Sequence, residues 1–260
     1  MALFLGAIAA DFSVFIGNPQ WQQQEWQQVE QLLNLGGNYG KTIVLPGSAS
    51  NSLVPSPAIL IPTGGSSGKI RFAIHTCESL SNSVAGFQQY FGVYSVNSFC
   101  VLPLYHVGGL MQFFRSFLTG GKLLTLPYKD LKKGERGGIV PEEFFISLVP
   151  TQLQFLLKYA PDWLSQFSTV MVGGADINPS LLTAARKQKI PIAPTYGMTE
   201  TASQIATLKP DDFLKGYSNS GRILPHAKIK IIGDRGQLFG ENQTGIIAIE
   251  SRSLCRGYYP

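Results

Sequence analysis

Three times in this chain a short apolar run leads straight into a loop of glycine and hydroxyl residues. AILI at 58–61 leads into PTGGSSGKIR, MV at 171–172 into Gly173-Gly174-Ala175, and IPIAP at 190–194 into TYGMTE. Glycine lets the main chain approach a ligand closely, and successive amides with Thr and Ser hydroxyls donate to phosphate oxygens. In open α/β sheets, ligands sit beyond the carboxyl ends of the strands. One such loop alone is also what a flexible connection looks like. Three in one chain point to a sheet with a ligand-binding edge.

The rest of the pattern agrees. Strands are predicted over 58–61, 70–75, 99–104, 122–126, 169–172 and 190–193. Helices are predicted over 78–90, 108–118, 151–159 and 179–188. This alternation argues for an α/β fold of layered, mostly parallel sheets with helices. The Gln-rich stretch 20–31 places Trp26, Val29 and Leu33 at helical spacing, so it reads as an amphipathic helix. The opening MALFLGAIAADF reads as a buried strand or short helix, because it lacks the basic leader of a signal peptide. Residues 46–57 read as a Pro/Ser loop. After about residue 207, β-branched runs at 227–232 and 245–250 alternate with glycine turns. The expected organisation is therefore an α/β core over 1–207 and a small β subdomain over 208–260.

Composition narrows the class. Hydrophobic residues are 44% and charged residues 14% of the 260, against a usual charged share of about 25%. That excludes intrinsic disorder. No run approaches the ~18 uncharged apolar residues of a membrane-crossing helix. The net charge of +5 suits an anionic ligand. The basic residues are scattered, and the densest group, Lys129, Lys132, Lys133 and Arg136, is diluted by Asp130 and Glu135. Nucleic acid is therefore not the expected partner. Three widely spaced cysteines without a CxxC argue against zinc or a disulfide framework, and fit a reducing cytosol.

The loops differ in chemistry. TGGSSGKIR is not a Walker A loop, since GGSSGK is followed by Ile70 rather than Ser or Thr; Arg71 adds charge at its far end. In TYGMTE, the Tyr196 ring can stack on a base, Thr199 can reach a phosphate oxygen, and Glu200 is a hard oxygen ligand for Mg²⁺. Read as local structure only, the same segment is a polar turn with Thr199 as a helix N-cap.

Taken in order, TGGSSGKIR, LPLYHVGG, VGGA, TYGMTE and GRILPHAKIKI resemble the adenylate-forming superfamily of acyl-CoA synthetases and related ligases. The similarity runs from residue 58 to 260. Within it, SLVPTQLQFLL and GGADINPSLLTAARKQKIPIAPTYGMTETASQIATL are similar to the 2-succinylbenzoate–CoA ligases of quinone biosynthesis. The resemblance implies two half-reactions, in which a carboxylate is activated by Mg·ATP as acyl-AMP and then passed to CoA. ATP, Mg²⁺ and CoA are the implied cofactor and co-substrates, and small molecules the implied partners; homo-oligomerisation is left open. Residue by residue, it assigns Thr63, Gly65, Ser66, Ser67 and Gly68 to a phosphate loop and Gly173, Gly174, Ala175, Thr195 and Tyr196 to the adenine site. It assigns Thr199 to the α-phosphate and Glu200 to Mg²⁺. Arg71 stands where most members carry Lys. His106 falls at the acyl-pocket wall, and Thr151, Ser203 and Gln204 are candidates for the second carboxylate of the acid. Phe113 and Phe114 read as packing, and His75 and His226 as structural or exposed.

The family pattern continues past Pro260 with a ribose-binding acidic residue, a hinge and a small domain carrying a catalytic Lys. The expectation is a large domain with severely impaired adenylation. Two other readings compete with it: a CoA synthetase for a different acyl or aryl acid, and a non-catalytic nucleotide-binding module.

Overall fold

The computed structural model describes residues 1–33, 43–45, 54–64 and 69–259. Their strands are β1 (Ser13–Phe15), β2 (Ile43–Leu45), β3 (Ile59–Gly64), β4 (Ile70–His75), β5 (Ser98–Cys100), β6 (Leu123–Thr125), β7 (Phe145–Leu148), β8 (Thr169–Val172), β9 (Ile192–Met198), β10 (Ser203–Thr207), β11 (Arg222–Ile223), β12 (Ala227–Ile232), β13 (Ile246–Ser251) and β14 (Tyr258–Tyr259). The helices are α1 (Ala2–Ala9), α2 (Gln23–Leu33), α3 (Cys77–Phe91), α4 (Val107–Thr119), α5 (Tyr128–Lys132), α6 (Pro150–Tyr159), α7 (Pro161–Leu164), α8 (Pro179–Lys187) and α9 (Pro210–Leu214).

A seven-stranded sheet runs β11-β10-β9-β8-β7-β5-β6. From β6 to β9 every neighbouring pair is parallel, and β10 and β11 add antiparallel edges. A five-stranded sheet, β14-β4-β3-β1-β2, is mostly antiparallel. Residues 208–260, expected as one β subdomain, are divided in space. Only β12 and β13 form their own ribbon, while β11 and β14 extend the two larger sheets. The reason lies in length: β11 and β14 are two-residue strands, which gain most by completing an existing ladder.

Local chemistry explains the helix ends that frame the site. α3 starts at Thr76, whose hydroxyl accepts the Ser79 amide, and ends at Gly92 with φ 70°. α6 and α8 each begin with proline, where no intrahelical N–H is lost. α2 buries Val29 and Leu33 against the five-stranded sheet, as the spacing of the Gln-rich run predicts. The main core is the parallel sheet under α6 and α8, with Phe99, Ile146, Leu153, Val170 and Ile192 buried. Phe113 and Phe114 are buried in a second cluster beneath α4, in keeping with a packing role. No described helix is long and apolar enough to cross a membrane.

Candidate active site

A cavity of about 830 Å³ opens at the carboxyl ends of the parallel strands. Leu102 and Pro103 follow β5, Leu148 closes β7, and Gly173 and Gly174 follow β8; all line it. The chain order reverses between β5 and β7. The cavity thus sits at the switch point where open α/β sheets bind ligands, and its volume is in the ~300–1,000 Å³ range of small-molecule sites. Thr63, Arg71 and Tyr258 from the second sheet form the opposing wall.

Most of the expected residues meet here. Thr63 and Arg71 are directly paired across the β3–β4 ladder. Gly173 packs so closely on β9 that a Cβ there would lie 2.3 Å from Thr195 Oγ1. Thr195, Thr199, Glu200, Ser203, Gln204 and exposed His106 line the same space. Partial desolvation at the cavity wall lowers the pKa of His106. Gly65, Ser66, Ser67 and Gly68 lie outside the described residues.

Three expected residues stand elsewhere. Tyr196 is not in the lining, because alternation along β9 turns Thr195 and Gly197 to the cavity and Tyr196 away from it. Ala175 is exposed past the left-handed Gly174 and does not line the cavity either. Thr151 is exposed on the first turn of α6, and its neighbour Gln152 lines the cavity instead. Gln152 is held by the Val149 amide, which donates to its Oε1 at 3.0 Å.

The turn after β9 also departs from the local reading. Thr199–Thr201 form one 3-10 turn, and the chain then reverses into β10 rather than entering a helix. Ala202 (φ 51°) and Ser203 (φ 84°) both adopt left-handed backbone. Such residues cost ~1–3 kcal/mol each and persist only where surroundings over-determine them.

Glu200 is the one carboxylate among the described residues lining the cavity. Its Oε1 accepts from Tyr258 Oη at 2.6 Å, and this bond pushes the Tyr258 phenol up to about 12. The Arg71 guanidinium lies 5.9 Å from the centre of the same ring. A single carboxylate beside threonine hydroxyls fits Mg²⁺ carried in with phosphate, since that ion keeps several waters and takes few protein ligands. Among the described residues no cluster of three or more metal-binding side chains offers a protein-only cage.

The most buried polar residue lining the cavity is Arg115, only 2% exposed. Its Nη2 donates to Gln204 Oε1 at 2.5 Å and to Ser203 Oγ at 3.3 Å, and its guanidinium lies 4.5 Å from the Phe87 ring centre. Burial lowers its pKa to about 9, which leaves it charged at neutral pH. No described carboxylate pairs with it, and its Nε has no partner. Sequence reading passed over Arg115, although it is the one charged residue in VGGLMQFFRSFLT. That isolation in an apolar helix was the available signal.

The AMP-binding enzyme family matches residues 10–259. A 2-succinylbenzoate–CoA ligase of Enterococcus faecalis is 30% identical over 213 residues, covering 78% of this chain and 42% of that protein. The o-succinylbenzoate coenzyme A synthetase of Bacillus subtilis, solved with ATP and magnesium ion, superposes with a TM-score of 0.69 at 23% identity, over 99% of this chain and 54% of that one. The same enzyme solved with its acyl-adenylate intermediate gives 0.70, over 93% and 50%. The chain spans about half the length of these relatives. With glycine loops, Glu200 and a buried cation gathered at one switch-point cavity, and with the match spanning nearly every residue, the chain belongs to the AMP-binding enzyme family.

Proposed function

We propose that this cavity serves an AMP-forming acid–thiol ligase of the cytosol, acting on 2-succinylbenzoate. The observation that carries the substrate is Arg115, a buried cation with no carboxylate partner among the described residues, at a cavity that also holds Thr199 and Glu200. A charge costly to bury is retained where an anion completes it. A dicarboxylic acid supplies one carboxylate to react and one to meet Arg115.

One carboxylate oxygen attacks the α-phosphorus of ATP, a P–O bond to pyrophosphate breaks, and acyl-AMP forms. The CoA sulfur then attacks the acyl carbon, its proton leaves, and AMP departs with the C–O electron pair. Magnesium ion supplies charge neutralisation at the phosphates when bound, and Glu200 is the residue to hold it. The protein's share is positioning and electrostatics. Arg71 faces the phosphates, Thr199 donates to the α-phosphate, and Gly173 with Thr195 seats the nucleoside. Arg115, Ser203 and Gln204 orient the acid.

Calorimetry tests the assignment. In the presence of a non-hydrolysable Mg·ATP analogue, the chain is expected to bind 2-succinylbenzoate and to bind benzoate far more weakly. Equal affinity for the two acids, or none for either, contradicts it.

A further inference from the structure

Four successive carbonyls of the Thr199–Ala202 turn are each gripped by a donor from another part of the chain. His75 Nε2 donates to Thr199 O at 2.8 Å, and the Cys255 amide to Glu200 O at 2.8 Å. Ser253 Oγ donates to Thr201 O at 2.9 Å, and Ser83 Oγ to Ala202 O at 2.8 Å. Its last residue, Ala202, and the next, Ser203, are left-handed non-glycine residues, so these grips supply the over-determination that such backbone needs.

His75 differs from the other three. It lies on β4, the strand that carries Arg71. Residues 71, 73 and 75 share one face of that strand. The imidazole is fully buried. Because a carbonyl only accepts, Nε2 must carry a proton. Nδ1, 3.0 Å from Ser79 Oγ, then accepts from that hydroxyl in the neutral ring. The hydroxyl has one proton and two acceptors at 3.0 Å, this nitrogen and Thr76 O, so it links the ring to the helix cap. Ser79 is itself fixed by the capping box of α3. A rigid relay thus runs from the helix cap through the ring to the turn. It fixes the spacing between the strand of Arg71 and the turn of Glu200, two opposite charges on one cavity.

We propose that His75 is a positioning residue, setting the Thr199–Glu200 turn at its working distance from β4. The proposal rests on the reading of that turn as the Mg·ATP contact. It differs from a fold-maintenance role because Thr199 O keeps a second donor, the Ala202 amide at 3.1 Å. The turn therefore survives loss of the ring but loses its direct bond to β4, keeping only the indirect link through residues 255–258.

The test is titration of the chain and its variants with Mg·ATP and with adenosine, which needs no phosphate contact. Losing one buried hydrogen bond predicts about tenfold weaker Mg·ATP binding in His75→Leu, with adenosine affinity kept. His75→Gln, whose amide N–H reaches where Nε2 stands, is expected to recover most of the loss. Unchanged Mg·ATP affinity in His75→Leu overturns the proposal. So does an equal loss for both ligands, which would mean general damage. If the unsubstituted chain bound adenosine but gained nothing from the magnesium triphosphate, the reading of the turn would fall, and the proposal with it.

Discussion

The Arg115 guanidinium reaches Gln204 Oε1 at 2.5 Å across 89 residues of chain, and no carboxylate intervenes. The contact joins α4 to β10 and presents a fixed cation to the cavity. Replacing Arg115 with Met keeps the length and removes the charge. Charge-assisted hydrogen bonds of this kind predict a 10- to 100-fold (~1.5–3 kcal/mol) loss of affinity for 2-succinylbenzoate. Benzoate affinity should not move. The comparison is a pair of calorimetric titrations, and a parallel loss for both acids would remove Arg115 from acid recognition.

Glycines make a second, purely steric prediction. A Cβ on Gly197 would lie 2.1 Å from Ser203 O and 2.5 Å from Gln204 Cα, both main-chain atoms of the paired strand. Gly197→Ala should therefore destabilise the chain by about 3 kcal/mol or more. Gly6, inside α1, has nothing within 4 Å of its Cβ position. Gly6→Ala should instead stabilise it by up to ~1 kcal/mol through helix propensity. Urea midpoints of the two variants should move in opposite directions.

Acid should weaken the fold through His226. Burial, and then the nearby Arg115 cation, lower its pKa from 6.5 to about 4, and neither ring nitrogen has a hydrogen-bond partner. A lowered histidine pKa means that the unfolded chain binds the extra proton. Stability is then fully present above pH 6.5 and lost as pH falls toward 4. Buried His75 shifts in the same direction, through desolvation. The melting temperature should fall across that window, and His226→Leu should flatten the fall. An unchanged slope in the variant would show that His226 is not the group responsible.

The strand–helix alternation was legible because each unit carries its own signals: an apolar run, a glycine loop, a capped helix. β7 was missed, since FISL follows the acidic turn PEE and is too short to show a period. The reversal into β10 left no mark either. Left-handed backbone usually announces itself as glycine, and here Ala202 and Ser203 carry it. The turn leading into them is held at Thr199, Thr201 and Ala202 by His75, Ser253 and Ser83, all distant in sequence. Thr63, Arg71, Thr199 and Glu200 could be placed at one cavity from their motifs. The place of Arg115 could not, because it depends on contacts made 88 and 89 residues away.

The central claim is that Glu200 and its turn make this cavity a magnesium–nucleotide site. Calorimetric titration of the chain with ATP, with and without magnesium, tests it most directly, alongside Glu200→Gln. The account predicts that magnesium strengthens ATP binding in the unsubstituted chain and has little effect in the variant. ATP affinity indifferent to magnesium, or the same magnesium response in both proteins, would contradict it.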